Sequence, residues 1–340
     1  MVIKVTKIVL ALSLLMAIAG FAEEIPYDYN RGLGLLEICS QSPAQSLRLT
    51  LPTVIPADIK PGWRTDIRST WTNVWAKESE FLLDYEMLDT VVALSYGFNT
   101  RFGLLVAFQN RNYFGGEMDS FIQGFHDQFG IRQNGRDKVP KDRGVVELFD
   151  PQTGENVLEF SAGGLNSNRL CFLLNYNISY GTQTWPSVNL YAVAGYPLKS
   201  ADIFTDDNQV DVGFGLGAAK RWSKKWYTYG ALGFTKFDER EVPALAPGMK
   251  PLELEDEQLT GMFSLSWHCT PTFAILAQYL CSGPAVKDIR KLDQPSHEVH
   301  LGFKWSTQRH GVVQFGLIEN VIVHDNSPDF GLHLGWSYQQ

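Results

Sequence analysis

The chain has 340 residues, with 29 lysines and arginines against 37 aspartates and glutamates, which gives a formal net charge of −8. This acidic balance argues against a nucleic acid partner, because phosphate backbones are bound by basic surfaces. Aromatic residues make up 13% of the chain, and there are 30 glycines. A membrane β-barrel with aromatic girdles and tight turns has such a composition, but a soluble β-sandwich can share it.

Residues 1–22 have the pattern of a secretory signal peptide. Lys4 and Lys7 precede a short apolar run, and small residues including Ala22 occupy the expected cleavage positions. The run is short for a membrane-spanning helix, so an uncleaved N-terminal anchor is the less favoured alternative. Because no later stretch is long and apolar enough to span a membrane as a helix, a membrane form must be a closed barrel. The mature chain is predicted to begin near Glu23, outside the cytoplasm.

Residues 23–45 do not follow a strand pattern. They contain a stretch rich in glycine and leucine at residues 31–38. One interpretation is a plug threaded into the lumen, since larger barrels are often filled by their own segments. The alternative is a disordered periplasmic tail, although the apolar content is high for a disordered segment.

From residue 46 onwards, large apolar residues repeatedly alternate with small or polar ones. Over residues 330–338, for example, the odd positions carry glycine, histidine and serine, and the even positions carry phenylalanine, leucine, tryptophan and tyrosine. Segments of about ten residues with this period are typical of membrane β-strands, whereas sandwich strands are nearer five or six. The same pattern predicts that Leu301, Phe303 and Trp305 face lipid and that Lys304 faces the lumen.

The connections between strands separate into short turns and long loops. Most even-numbered connections, beginning with residues 76–79 and 99–101, are short, and most odd-numbered ones are long, as in outer-membrane barrels. The third, at Met87–Leu88, is the exception. An even number of strands places both ends of the wall on the periplasmic side. Fourteen strands are predicted, near residues 46–53, 63–75, 80–87, 89–98, 102–109, 170–180, 188–196, 210–220, 226–235, 258–268, 272–281, 297–306, 311–319 and 330–338.

The region 110–169 is too long for a structureless connection. Its first part predicts an amphipathic helix ending near Gly130, which we expect to pack on the protein and obstruct the extracellular mouth. Residues 145–149 and 156–160 predict a hairpin outside the barrel wall. The apolar stripe of the helix consists of Met118, Phe121, Ile122, Phe125 and Phe129.

Charged residues crowd together directly after this helix. They could bind an anionic ligand such as a lipopolysaccharide phosphate, or they could form an ion-pair network among themselves, which is the favoured alternative. The cluster comprises Arg132, Arg136, Asp137, Lys138, Lys141, Asp142 and Arg143.

His126 and Asp127 are the candidates for catalysis, as a general base and its orienting carboxylate in lipid hydrolysis. Adjacent helical residues point about 100° apart, and the chain has no Gly-x-Ser-x-Gly motif, so a solvated helix face is favoured. The spacing of Cys39, Cys171 and the two later cysteines matches no metal site and does not reveal a disulfide pairing. No metal or cofactor is expected.

The stretch 114–130, together with Gln133-Asn-Gly-Arg-Asp137 and Pro140-Lys-Asp-Arg143, resembles the signature of an uncharacterised Gram-negative family, the domain of unknown function number 3187. The similarity covers most of the predicted mature chain. It implies an outer-membrane type of fold and brings with it no activity and no catalytic residues.

These patterns predict an all-β, transmembrane, antiparallel up-and-down barrel of about 14 strands, with 12 to 16 compatible. The predicted organisation is a signal peptide at 1–22, an N-terminal segment at 23–45, and a barrel at 46–340 with the long loop at 110–169. The predicted function is a porin-like channel or transporter for small molecules, hydrophobic compounds among them. The alternatives are a lipid-modifying enzyme, which is less favoured, and a structural or envelope-assembly barrel. The expected location is the outer membrane, with outer-membrane lipid, lipopolysaccharide, the barrel-assembly machinery and a small solute as partners.

Overall fold

The computed structural model describes residues 30–45, 59–130, 136–149, 156–164, 166–199, 210–237, 241–242, 252–287, 289–307, 309–320 and 326–340. Twelve strands form one antiparallel wall, in which each strand pairs with the strands before and after it. The first of them also pairs with the last, so the wall closes. The predicted up-and-down barrel is therefore confirmed. The wall strands are β1 (Gly62–Lys77), β2 (Phe81–Gly97), β3 (Phe102–Phe114), β6 (Asn166–Tyr180), β7 (Ser187–Lys199), β8 (Asp211–Arg221), β9 (Trp226–Lys236), β12 (Glu257–Thr270), β13 (Phe273–Ser282), β14 (Ser296–Ser306), β15 (Val312–Glu319) and β16 (Phe330–Gln339).

The long loop carries the predicted helix and hairpin. Helix α1 (Asp119–Phe129) ends at Gly130, whose φ of 69° lies in the left-handed region that glycine adopts without strain. A 3₁₀ turn (Arg136–Lys138) precedes the hairpin of β4 (Val145–Phe149) and β5 (Asn156–Ser161). Strand β4 pairs with residues 81–84 of β2, beyond the end of β3, so the hairpin extends the wall. A two-residue pair, β10 (Glu241–Val242) and β11 (Leu252–Glu253), lies in a later loop.

Among the described residues, the wall has two strands fewer than the fourteen predicted. The predicted turn at Met87–Leu88 lies inside the continuous strand β2, so the prediction of two strands there is wrong. Side chains 81–87 are buried on both faces, which removes the alternation that reveals a single strand. The predicted strand at 46–53 lies outside the described residues.

The connections are segregated by length, with one correction. Five short connections lie at the end of the barrel that contains Gly62 and Gln339, here called the short-turn end. The turn between β1 and β2 is short but lies at the opposite, long-loop end, because the continuous strand β2 separates it from the turn at residues 98–101. The prediction that the turn near residues 76–79 lies at the same end as residues 99–101 is therefore wrong. The five short connections at the short-turn end are residues 98–101, 181–186, 222–225, 271–272 and 307–311.

The two faces of the wall differ as the alternation predicts. Leu301 and Leu334 point outward, with 53% and 59% of their surface exposed, while Lys304 and His333 point inward and are buried. Within the described ranges, no helix is long and apolar enough to cross a membrane. Seven of the nine tryptophans lie at or near the short-turn end, as in the aromatic girdle of a membrane barrel. They are Trp63, Trp185, Trp222, Trp226, Trp267, Trp305 and Trp336.

Candidate functional site

A row of inward-facing side chains crosses four neighbouring wall strands. Lys304 of β14 pairs in register with Gln314 of β15, which is followed by Gly335 of β16 and Arg68 of β1. The lysine, glutamine and arginine are all buried. The Gln314 side chain fills the space over Gly335, because an added Cβ would lie 2.4 Å from its Nε2 atom. The row therefore has one cation at each end, with Gln314 and Gly335 between them.

Residues 30–45, here called the lumen segment, lie against this row. The backbone N–H of Glu37 donates to Oε1 of Gln314 at 3.2 Å. Its carboxylate lies 2.5 Å from Nη2 of Arg64, 3.1 Å from Nη1 of Arg68 and 3.4 Å from Nζ of Lys304. A carboxylate removed from bulk water in this way is stable only with such compensation. We call Arg64, Arg68 and Lys304 the basic site.

Two paired glycines make room for the apolar part of the segment. Gly302 and Gly316 lie opposite each other on β14 and β15 and face inward. A Cβ added to Gly316 would lie 3.3 Å from Cδ1 of Leu36 and 3.2 Å from Cδ1 of Ile38. The side chains of Leu36 and Ile38 therefore pack on Gly302 and Gly316, a pair of glycines here called the glycine floor.

Side chains of the wall hold the first half of the segment. Nδ2 of Asn30 donates to the Tyr229 hydroxyl at 2.9 Å, close to the short-turn end. Nε2 of Gln278 donates to the carbonyl of Leu36 at 3.1 Å. The described residues 30–45 form no strand, so these contacts replace the ladder that joins wall strands.

The second half is held by carboxylates of the wall. Glu298, which is fully buried, accepts hydrogen bonds from the Ser40 hydroxyl and, at 3.1 Å, from the backbone N–H of Gln41. Its Oε1 also accepts from the Ser42 hydroxyl at 2.9 Å. The Gln41 side chain contacts Asp89 at 3.4 Å. Three consecutive residues are therefore bound through one carboxylate.

The lumen segment extends along most of the barrel. Asn30 is near the short-turn end, whereas Ala44 packs in an apolar cluster with Phe81 and Ala285 at the long-loop end. Nε2 of Gln45 donates to the carbonyl of Gly283, also at that end. Because its partners face inward from β1, β9, β13, β14 and β15, the segment lies inside the barrel.

Helix α1 lies on the other face of the wall. Met118 and Ile122 are buried against Phe330, with Trp71 and Leu332 packed beside them. Phe330 and Leu332 share the outward face of β16 with the exposed Leu334. The helix therefore packs outside the barrel, which differs from the obstruction of the mouth that we expected. The large apolar side chains of the outer wall give its apolar stripe a partner there, whereas the inner wall presents polar groups.

The aromatic members of the stripe are placed unequally. Phe121 and Phe125 contact the Phe330 ring, with centroid distances of 5.6 and 5.5 Å. Phe121 nevertheless leaves 56% of its surface exposed, and Phe125 is half-buried. Phe129 is the last residue of the helix, and its side chain lies outside the described part of the chain.

Buried polar groups join the helix to the outer wall. Nη1 of Arg136 lies 2.9 Å from Oδ1 of Asp119, its Nη2 lies 3.2 Å from Oδ2 of Asp329, and it also contacts Asn73. Glu86 accepts from the backbone N–H of Met118 at 2.6 Å. We call Asn73, Glu86, Asp119, Arg136 and Asp329 the outer polar cluster.

The remaining predicted charged residues are dispersed. Lys138, Lys141 and Asp142 are exposed, and Arg143 pairs with Glu147 at 2.9 Å. Arg132 and the side chain of Asp137 lie outside the described residues. The ion pairs of Arg136 and Arg143 are thus made with residues outside the predicted cluster.

The two candidates for catalysis, His126 and Asp127, differ in burial. The His126 side chain is 2% exposed, and its Nε2 lies 4.0 Å from Oε1 of Glu319, at the contact between helix and wall. Asp127, by contrast, is exposed. The two candidates therefore lie in different surroundings, one at the contact between helix and wall and the other at the surface.

All four cysteines lie within the described ranges, and none forms a disulfide bond. Cys39 belongs to the lumen segment, and Cys171, Cys269 and Cys281 belong to wall strands. In the same ranges, no group of three or more His, Cys, Asp or Glu side chains could hold a metal ion.

Most of the basic site was not predicted from the sequence. Arg64, Asp66 and Arg68 alternate on the strand predicted at 63–75, so the pattern contained a signal that they share the inner face. Glu37 had no such signal, because it lies in a segment without periodicity.

Comparisons with known proteins agree with the architecture. A sequence model of the family described as "Protein of unknown function (DUF3187)" matches residues 11–340. No curated protein matches the chain. The chain is similar to the structure of the COG4313 outer membrane channel from Pseudomonas putida F1, at 11% identity and a TM-score of 0.50, over 82% of this chain and 96% of that one.

Two further solved structures are more distant. The NanC porin is 9% identical, with a TM-score of 0.45, over 81% of this chain and 99% of the other. The CymD monoaromatic hydrocarbon channel is 10% identical, with a TM-score of 0.41, over 92% and 97%. Identities this low show a shared fold alone, and our fold comparison rests on the first structure.

Proposed function

The chain belongs to the DUF3187 family of proteins of unknown function, and we propose that it is an outer-membrane channel or transporter closed by its lumen segment. The observation that carries the proposal is the burial of residues 30–45 among inward-facing side chains. Twelve strands enclose more space than eight, whose interior side chains just fill the barrel. A separate segment in that space determines what can pass.

The contacts of the segment suit a closure that can open. They are hydrogen bonds, ion pairs and apolar packing, and none of them belongs to the ladder that joins wall strands. A typical hydrogen bond contributes only about 0.5–1.5 kcal/mol net. The segment can therefore leave its place without any loss of pairing between wall strands.

The proposed location in the outer membrane rests on the wall and on the N-terminus. Outward apolar side chains and a row of tryptophans suit a lipid environment, and residues 1–22 suit export. We expect unheated protein in SDS to migrate differently from boiled protein, because a closed barrel resists detergent. Recovery of the protein from a periplasmic fraction without detergent would contradict this location.

The proposed solutes are small molecules, hydrophobic compounds among them. Ala274, Leu276 and Ile318 of the wall face the interior and pack against the lumen segment close to the polar side chain of Gln278, so apolar and polar wall surface meet there. A solute that replaces the segment would find both kinds of surface.

The proposal is tested by single-channel conductance in planar bilayers. A variant that lacks residues 30–45 should fold, as judged by migration in SDS, and should conduct more than the complete protein. The matched control is Phe121→Asp with Phe125→Asp, which disturbs the outer helix and should leave conductance unchanged. A folded deletion variant with unchanged conductance would contradict closure by the segment and favour a structural barrel.

A further inference from the structure

The basic site holds a partner that does not belong to the wall. Arg64, Arg68 and Lys304 are wall residues, as is Asp66, which lies 2.6 Å from Nη2 of Arg64. Glu37 contacts all three cations and comes from the lumen segment. Without Glu37, three cations and one carboxylate remain, a formal excess of two positive charges. The wall alone therefore forms an anion site.

The wall also offers polar atoms that Glu37 does not use. Nε of Arg68 and Nε2 of His333 are buried and have no hydrogen-bond partner among the described residues. His333 pairs in register with Thr70, two residues from Arg68 on the same face, so both atoms border the site. Buried polar groups normally have partners, so these atoms are available to hydrogen-bond a ligand that replaces the segment.

Glu37 and its two aliphatic neighbours together resemble one class of small molecule, an aliphatic carboxylate. Along the chain Glu37 lies between Leu36 and Ile38, whose aliphatic side chains contact Gly316 while the Glu37 carboxylate contacts the basic site. The wall thus accommodates a carboxylate next to branched aliphatic carbon. We propose that the basic site and glycine floor bind an aliphatic carboxylate solute, and that Glu37 occupies this place until the solute displaces it. This inference rests on the proposed function and names its class of solute.

Charge explains why a carboxylate would displace Glu37 and a neutral molecule would not. Removal of one partner from a buried ion pair leaves an uncompensated charge, which is strongly unfavourable. An incoming carboxylate restores the compensation of Arg64, Arg68 and Lys304, whereas an alcohol of the same length does not. The aliphatic part supplies affinity through burial, and the charge supplies selectivity.

The test compares hexanoate with hexan-1-ol by titration calorimetry on the complete, refolded protein. Glu37→Gln removes the charge of the occupant while keeping its shape, so the apparent affinity for hexanoate should rise by about tenfold or more. Affinity for hexan-1-ol should change little. Glu298→Gln is the matched control, because it loosens the segment at Ser40 and Ser42 without vacating the basic site.

A second pair of variants tests the wall. Arg68→Gln, made in the Glu37→Gln protein, should abolish the gain in hexanoate affinity. If the Arg68→Gln variant does not fold, Lys304→Gln is made in its place. Equal gains from Glu37→Gln and Glu298→Gln, or equal binding of hexan-1-ol, would overturn the carboxylate assignment. Because binding is measured without transport, that result is distinct from an unchanged conductance of the deletion variant.

Discussion

Two segments of this protein fold against opposite faces of the same wall. The lumen segment is irregular and rests on glycines inside the barrel, with Glu37 among three cations. Helix α1 is regular and rests on large apolar side chains outside, with Arg136 among carboxylates. Each segment combines an apolar contact with a buried ionic one.

The difference between them lies in the wall and in what surrounds it. The inner face has small residues and fixed charges, so a segment there competes with solutes and solvent. The outer face is apolar over much of the wall, and helix α1 covers its more polar part at Asn73 and Glu86, near the long-loop end. Changes inside should therefore alter passage, whereas changes outside should alter the docking of the loop or the stability of the wall in lipid.

The largest effect is expected for Arg136→Ala in the outer polar cluster. The change leaves the buried carboxylates of Asp119 and Asp329 without their cation, which typically costs about 3–5 kcal/mol. The loop should become sensitive to limited proteolysis between residues 115 and 143, while conductance stays the same. Increased conductance would mean that the outer segment also controls the lumen.

Phe303→Arg tests which face meets lipid. Phe303 lies on the outward face between Leu301 and Trp305, and arginine near the bilayer midplane costs about 2–4 kcal/mol. Unfolding in urea with lipid vesicles present should reveal this loss. Lys304→Ala, one residue further along on the inner face, should still give a folded barrel. Equal, small losses at both positions would show that this strand is not in a membrane.

Gly316→Val should loosen the lumen segment. The added side chain would meet Leu36 and Ile38, and overpacking of this kind typically costs about 1–3 kcal/mol. Conductance should rise in a barrel that still migrates as folded. The control is Gly230→Val on β9, where an added Cβ would have ordinary space, 3.8 Å from the nearest atom. An increase from the control alone would contradict the role of the glycine floor.

The smallest effect is expected for Lys141→Ala. This exposed lysine donates to the Ser120 hydroxyl at 3.3 Å, and such surface changes usually stay within about 0.5 kcal/mol. Proteolysis of the loop should match that of the unchanged protein. A loss comparable to that of Arg136→Ala would show that the exposed charges also hold the loop.

Much of the architecture was predicted from the sequence alone. Strand periodicity is local, because successive side chains point to opposite faces, so residues 297–306 and 330–338 alone revealed a two-faced wall. The helix and hairpin of the long loop were also predicted close to their observed bounds. The error at Met87–Leu88 arose where β2 is covered on both sides and loses its periodic signal.

By itself, the sequence predicted a barrel with an apolar outside: the repeat of two gave the two faces of each strand, while strand length and the segregation of short and long connections favoured a barrel over a sandwich. Only the tertiary structure decided where the two accessory segments lie. An apolar stripe such as that of helix α1 requires a partner but does not specify which face provides it. Likewise, Glu37 meets Lys304 across 267 positions of sequence, and no local pattern encodes a contact that exists only once the wall has closed.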